Sequence, residues 1–201
     1  MIRNIFLAGI SFIFLSCLSI ESKMTLAADG SGTLALEYTV SSLAQDWESR
    51  DPGTSPLPLP VNEADFRRGI SQTAGLGLVS YSRRTAADSV VITAVVSFRS
   101  LEALNSFVSR QDTHFSLRQE GGRNVFEQIL TRGTSEDMGE QTRGFIEAFF
   151  SPYALSFTLT APAAVSRSTP SGSVSGSTAS VSFPLSAVVG SRDSIVWRVE
   201  W

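Results

Sequence analysis

The sequence predicts an α+β domain: a mainly antiparallel sheet with two or three helices packed on it. Three observations predict it. Apolar and polar residues alternate over short runs, as half-buried strands require. Some of those runs flank Asp29-Gly30 and Gly121-Gly122, dipeptides suited to tight hairpin turns. Segments of helical period stand between the strand pairs, giving ββα three times and then further strands. Hairpins separated by helices favour an antiparallel sheet over a parallel doubly wound one.

The elements follow in order. Asp29-Gly30 divides a hairpin whose second strand places Leu34, Leu36, Tyr38 and Val40 on one face and Thr33, Ala35, Glu37 and Thr39 on the other. Ser41 to Trp47 is long enough for one or two helical turns. The stretch from Asp51 to Pro60 alternates proline with leucine and cannot enter a sheet interior. Asn62 is a candidate N-cap, with Glu63 and Asp65 at the positive end of a helix that runs to about Thr73 on a stripe of Phe66 and Ile70. From Leu76 the period becomes two, through Val79 and Tyr81, and Val90 to Phe98 is a β-branched run. Ser100 caps a helix carrying Leu101, Leu104, Phe107 and Val108. Phe115 and Leu117 alternate before Gly121-Gly122, and Val125, Ile129 and Leu130 follow. A third helix is expected from Ser135 to Phe150, with Phe145 and Phe149 facing inward and Gly139 and Gly144 weakening it. Leu155, Phe157 and Leu159 mark a strand, Pro162 to Ser177 an exposed loop or ribbon turn, and Ala179, Val181 and Phe183 another strand. A single helical turn at 184–189 and a strand from Ile195 to Trp201 end the chain.

Ahead of this domain, Arg3 precedes an uncharged run from Ile5 to Ile20. That is the pattern of a secretory signal. It is short for a bilayer span, which needs roughly 20 apolar residues. Cys17, the one cysteine, ends the apolar core just after Ser16. Its setting resembles a bacterial lipobox, in which cleavage exposes an N-terminal cysteine that carries lipid. Phe14 and Leu15 depart from the preferred leucine and small residue, in the way spirochaete-type lipoboxes tolerate. The reading is therefore a lipoprotein signal peptide at 1–16, an acylated tether at 17–23 and one domain at 24–201. The alternative is an apolar cysteine inside a signal that is uncleaved or cleaved elsewhere. Three acyl chains, as the resemblance implies, would hold the protein firmly, since one short chain alone binds only marginally.

Composition excludes several functions. Removing residues 1–16 leaves 185 residues, enough for one well-cored domain. Arg3 is the one charge lost, so 15 basic and 19 acidic residues remain, a net charge of −4. A mildly acidic chain gives no reason to expect nucleic acid as a partner. Without a second cysteine no disulfide supports the domain. Lys23 is the sole lysine among many arginines, a bias that genomic base composition explains better than anion recognition does. Catalysis through a nucleophile–base pair would have to use His114, the one histidine, which stands in a predicted strand without metal-ligand spacing. Zinc or iron sites built on several His or Cys ligands fail by count. Glu136-Asp137 reads as helix capping, and Gly30-Ser-Gly32 and Gly172 to Gly176 as turns that lack the lysine of a phosphate loop. No catalytic residue, cofactor or metal is expected, and the chain reads as no enzyme.

Two passages resemble the LppM-like envelope lipoproteins, also called DUF3153. One is Ala28-Asp-Gly-Ser-Gly32, leading into an alternating strand. The other is Pro170-Ser-Gly172, Gly176 and Val181-Ser-Phe-Pro-Leu185, ending in Trp197 and Trp201. The resemblance implies an α+β domain close to the membrane, closed by a Pro-Gly turn and a tryptophan-bearing strand, and proposed in the family to bind lipids or glycolipids. It supplies no catalytic residues. This chain also lacks the C-terminal membrane helix that some members carry.

Two functions compete. In the first, sheet and helices enclose an apolar pocket for a lipid or other amphiphile, served by the thirteen phenylalanines unless these simply fill the core. In the second, the domain is an assembly module that contacts another envelope protein through loop 51–60 or the terminal tryptophans. Both place it in the cell envelope, anchored to a membrane and facing the periplasm or the exterior.

Overall fold

Asp29 builds the first turn of the molecule. Its carboxylate accepts from the Ser31 amide at 3.0 Å and from the Ser31 hydroxyl at 2.6 Å, and Gly30 takes a φ of +81° that favours glycine. Those two bonds, the hydroxyl first, hold the Asp29 carboxyl below its usual range. The computed structural model describes residues 19–41, 60–86, 89–108, 114–133 and 138–201. Cys17, the signal segment, residues 42–47, residues 51–59 and the expected helix start at Ser135 lie outside the described residues.

The turn joins β1 (Ile20–Leu26) to β2 (Gly32–Ser41). Then come α1 (Glu63–Ser71), β3 (Leu76–Ala86), β4 (Ser89–Phe98), α2 (Leu101–Val108), β5 (His114–Glu120), β6 (Arg123–Thr131), α3 (Glu140–Phe150) and β7 (Ala154–Thr160). The chain ends with β8 (Arg167–Thr169), β9 (Ser173–Ser175), β10 (Thr178–Pro184), α4 (Leu185–Val189) and β11 (Ile195–Glu200). The fold is the expected α+β, mostly strand. The four helices among the described residues include the single turn at 185–189. Asn62 caps α1 through its side-chain oxygen, which accepts from the Asp65 amide at 2.9 Å, and the Ser100 hydroxyl accepts from the Ala103 amide at 3.2 Å.

The strands divide into two sheets. One is seven-stranded, in the order β3-β4-β2-β1-β7-β10-β9, and the other four-stranded, in the order β5-β6-β11-β8. Every pairing is antiparallel except that of β1 with β7, where Ile20 to Thr25 run alongside Leu155 to Thr160. A single apolar core spans both sheets. Leu34, Leu36, Tyr38 and Val40 enter it from β2, Val90, Ile92, Ala94, Val96 and Phe98 from β4, Phe126 from β6, and Trp197 and Val199 from β11. Gly32 marks a close approach: a Cβ there would overlap the Thr25 carbonyl oxygen and lie 2.8 Å from Phe98.

Four expectations need correction. The tether at 17–23 is not free chain, because β1 begins at Ile20 and turns Ser22 and Met24 into the core. Val79 is 62% exposed, since the register between β3 and β4 shifts between Leu78 and Ser80 and throws it outward. α3 begins at Glu140, with Gly139 at its cap and only Gly144 inside it. Ile146 is buried and Phe145 is 39% exposed, while the Phe149 side chain lies outside the described residues. The stretch 162–177 is more than a loop, since β8 and β9 each add three residues to a sheet edge.

Candidate functional site

The seven-stranded sheet turns a hydroxyl-rich face outward. Ser156 and Ser182 approach at 3.1 Å and Thr158 and Ser180 at 3.0 Å, cross-strand pairs between β7 and β10. Next to them on β1 stand Glu21, Lys23 and Thr25, opposite Glu37, Ala35 and Thr33 of β2. Glu21 and Glu37 are thus directly opposed like charges, a pairing that destabilises a sheet unless a cation intervenes. Lys23 supplies one. Its ammonium lies 2.8 Å from Glu21, and the hydrogen bond with that carboxylate, reinforced by its charge, raises the lysine pKa. Glu37 accepts from the Thr93 hydroxyl at 3.5 Å.

Where β1 starts, this face dips into a hollow of about 320 Å³ lined by Ser19, Ile20, Glu21, Glu37, Thr39 and Ser156, among others. The hollow arises because β2 and β7 flank the first residues of β1, where the Thr39 amide donates to the Ser19 carbonyl. Its lining carries two carboxylates and several hydroxyls, so it differs from the apolar pocket expected for an acyl chain. The phenylalanines explain why: Phe66, Phe98, Phe115, Phe126 and Phe157 are all buried in the shared core.

A second polar feature covers the outer face of the smaller sheet. Arg118 of β5 donates to Glu127 of β6 at 2.7 Å and also pairs with Glu120. Arg198 of β11 reaches Glu120 at 2.6 Å, Glu200 at 3.0 Å and Glu127 at 3.2 Å. The lattice follows from register, since Glu127 faces both Ser116 and Arg198. On this face Val125 is 1% exposed and stands directly opposite Arg118 of β5 and Glu200 of β11, the former a residue type whose long stem covers apolar surface. Arg198 and then Arg118 hold the Glu120 carboxyl below its usual range, and Arg118 does most of the same for Glu127 against the opposing effect of burial. Carboxyls lowered in the folded state add stability above their ordinary pKa, and that contribution is lost as pH falls through the folded value. Arg198→Met should therefore lower the urea midpoint at pH 7. The gap from the parent should close as pH drops below about 4, the ordinary carboxyl range. A gap unchanged at pH 3 would assign the effect to packing.

The sequence-predicted residues scatter. Cys17 lies outside the described residues, and His114 is exposed at the start of β5. Trp197, offered as a partner contact, is 1% exposed and donates its indole N–H to Ser168 at 2.9 Å. Trp201 is half-buried, its backbone paired with Asn124. Among the described residues no group of three or more His, Cys, Asp or Glu could hold a metal ion, and no helix is long and apolar enough to cross a membrane. Sequence reasoning missed the Glu21–Glu37 pair, although the hairpin register at Asp29-Gly30 implies it.

No family model and no curated protein matches the chain. Among solved structures it is similar to the NMR structure of the folded domain of Mycobacterium tuberculosis LppM, at 13% identity and a TM-score of 0.49, over 91% of this chain and 88% of that one. A likeness of that size carries no functional argument, so function is read from the molecule's own features.

Proposed function

We propose that the chain is a membrane-anchored envelope lipoprotein, held by lipid on Cys17, whose non-catalytic domain binds the polar head of a lipid or other amphiphile in the hollow beside β1. One observation supports this most: Ser19 and Ile20 line the hollow and follow Cys17 by two and three residues. A head group seated there lies beside the bilayer that holds the anchor. The volume falls at the lower end of small-molecule sites, roughly 300–1,000 Å³, which suits a head group better than a whole lipid. Glu37 and Glu21 favour an amine-bearing head, because a charged donor to a carboxylate makes a strong hydrogen bond.

Native mass spectrometry of the full chain extracted from membranes tests the reading. An amphiphile with an amine-bearing head should co-purify. Glu37→Gln should weaken its retention about tenfold, the loss of one charge-assisted hydrogen bond. No adduct, or equal retention by the variant, would count decisively against it. The competing reading, an assembly module, draws support from β3, an edge strand that exposes Val79.

A further inference from the structure

The hollow beside β1 carries a cation of the protein's own at its rim. Glu21 and Glu37 face each other across β1 and β2, and side chains so opposed in an antiparallel pair stand about 4.5–5.5 Å apart at Cβ. The Lys23 ammonium lies 2.8 Å from Glu21. Glu21 raises the lysine pKa most, through its hydrogen bond and then its charge, and the charge of Glu37 adds to the effect. Two carboxylates are thus answered by one ammonium, which is engaged with only one of them. Glu37, also exposed, accepts a single hydrogen bond among the described residues, from the Thr93 hydroxyl at 3.5 Å. That distance is long for a hydroxyl donor.

The groups left over define what the hollow can hold. With Lys23 counted, the carboxylate pair keeps one negative charge, which suits a monocation. A divalent ion would meet Lys23 in repulsion, and among the described residues no group of three or more His, Cys, Asp or Glu could hold a metal ion. A primary ammonium brings three N–H donors and no acceptor, as lysine does. Glu21, Glu37 and the hydroxyls of Thr39 and Ser156 line the hollow as acceptors. Ser156 shares a hydrogen bond with Ser182 at 3.1 Å, and a hydroxyl so engaged still has a lone pair to offer. A trimethylammonium has no donor and is usually held by aromatic ring faces. The aromatic residue of the lining, Tyr38, is 1% exposed and belongs to the core.

We propose that the hollow selects a primary ammonium over a quaternary one, and that Lys23 determines this specificity by occupying Glu21 until the head group's own ammonium displaces it. The inference rests on the head-group reading of the hollow, and adds which amine enters and what it must displace. At Glu21 the exchange replaces one N–H to carboxylate bond with another of the same kind. At Glu37 it adds a charge-assisted bond that was not there before. The displaced ammonium sits on a flexible four-carbon stem and is already exposed, so it returns to water without movement of β1. Glu37 supplies the gain in binding. Lys23 sets the threshold for entry, which a cation with too few N–H donors does not cross.

Native mass spectrometry of the full chain in neutral detergent, with dioleoyl lipids added, tests both parts. The probes are phosphatidylethanolamine, its N-methyl and N,N-dimethyl forms, and phosphatidylcholine, which share phosphate and chains and differ in N–H donors. Retention should fall at each methylation, by about tenfold or more from the first probe to the last. This series is read on the parent protein and does not depend on a variant that folds. Lys23→Met should raise retention of phosphatidylethanolamine several-fold. Lys23→Arg, which keeps a cation beside Glu21, should stay near the parent. Equal retention of phosphatidylethanolamine and phosphatidylcholine overturns the selection and leaves the amphiphile site standing. Unchanged or weaker retention by Lys23→Met, at an unaltered urea midpoint, overturns displacement, and weaker retention would make Lys23 a contact of the head group. Retention of none of the four overturns the inference, and the head-group reading falls with it if protein extracted from membranes also carries no adduct.

Discussion

Trp197→Ala should destabilise the domain by about 3–5 kcal/mol, the range for truncating a large buried aromatic, and should shift the urea midpoint down accordingly. Trp197 joins the two sheets. Its ring meets Phe126 of its own sheet edge-on at 6.2 Å and Phe157 of the other sheet at 6.4 Å. Truncation removes the contact on both sides and leaves the Ser168 hydroxyl without its indole donor. Total stabilities of single domains lie near 5–15 kcal/mol, so this one change would remove a large share. A loss under about 1 kcal/mol by urea titration followed in the far ultraviolet would mean that the sheets do not depend on this junction. Trp197→Phe, which keeps an apolar ring, should recover much of the loss.

Cys17→Ser should abolish incorporation of labelled palmitate and shift the protein from the detergent phase toward the aqueous phase in phase partitioning. Labelling is the stricter readout, because an uncleaved apolar signal would still favour detergent. Unchanged labelling would place the lipid elsewhere or nowhere. That outcome would remove the argument from position behind the hollow.

Much of the fold was legible because short-range chemistry decides it. Asp29-Gly30 needs only its own side chain and a positive φ, and Asn62 and Ser100 cap helices through residues three positions on. The β2 alternation predicted its core face residue by residue. What escaped depends on partners far along the chain. Nothing in Ile20–Leu26 or Ala154–Thr160 announces that they pair in parallel, and no periodicity divides the described strands between two sheets. Val79 and Phe145 failed for a different reason. Burial was assigned by residue type, whereas one β-bulge shifted the phase at Val79 and the core reached α3 through Ile146 instead of Phe145. Ile20 to Lys23 looked like linker because Glu21 and Lys23 are polar, yet those two side chains are merely the outward half of a strand. Of the candidate site, the Glu21–Glu37 pair was implicit in the hairpin register. The hollow beside it was not, since β7 supplies one wall.

The place of β1 in the middle of its sheet also has a mechanical meaning. β1 is the first strand of the described chain and is bonded on both sides, to β2 and to β7. A pull at Ser19 acts along the strand, at right angles to the hydrogen bonds with β2 and across the slanted bonds with β7. Such a load is carried in shear by both ladders together, instead of peeling one bond at a time as a pull on the edge strand β9 would. β1 is thus one of the strongest seams of the sheet, and tension applied at Ser19 is shared between the ladders on its two sides.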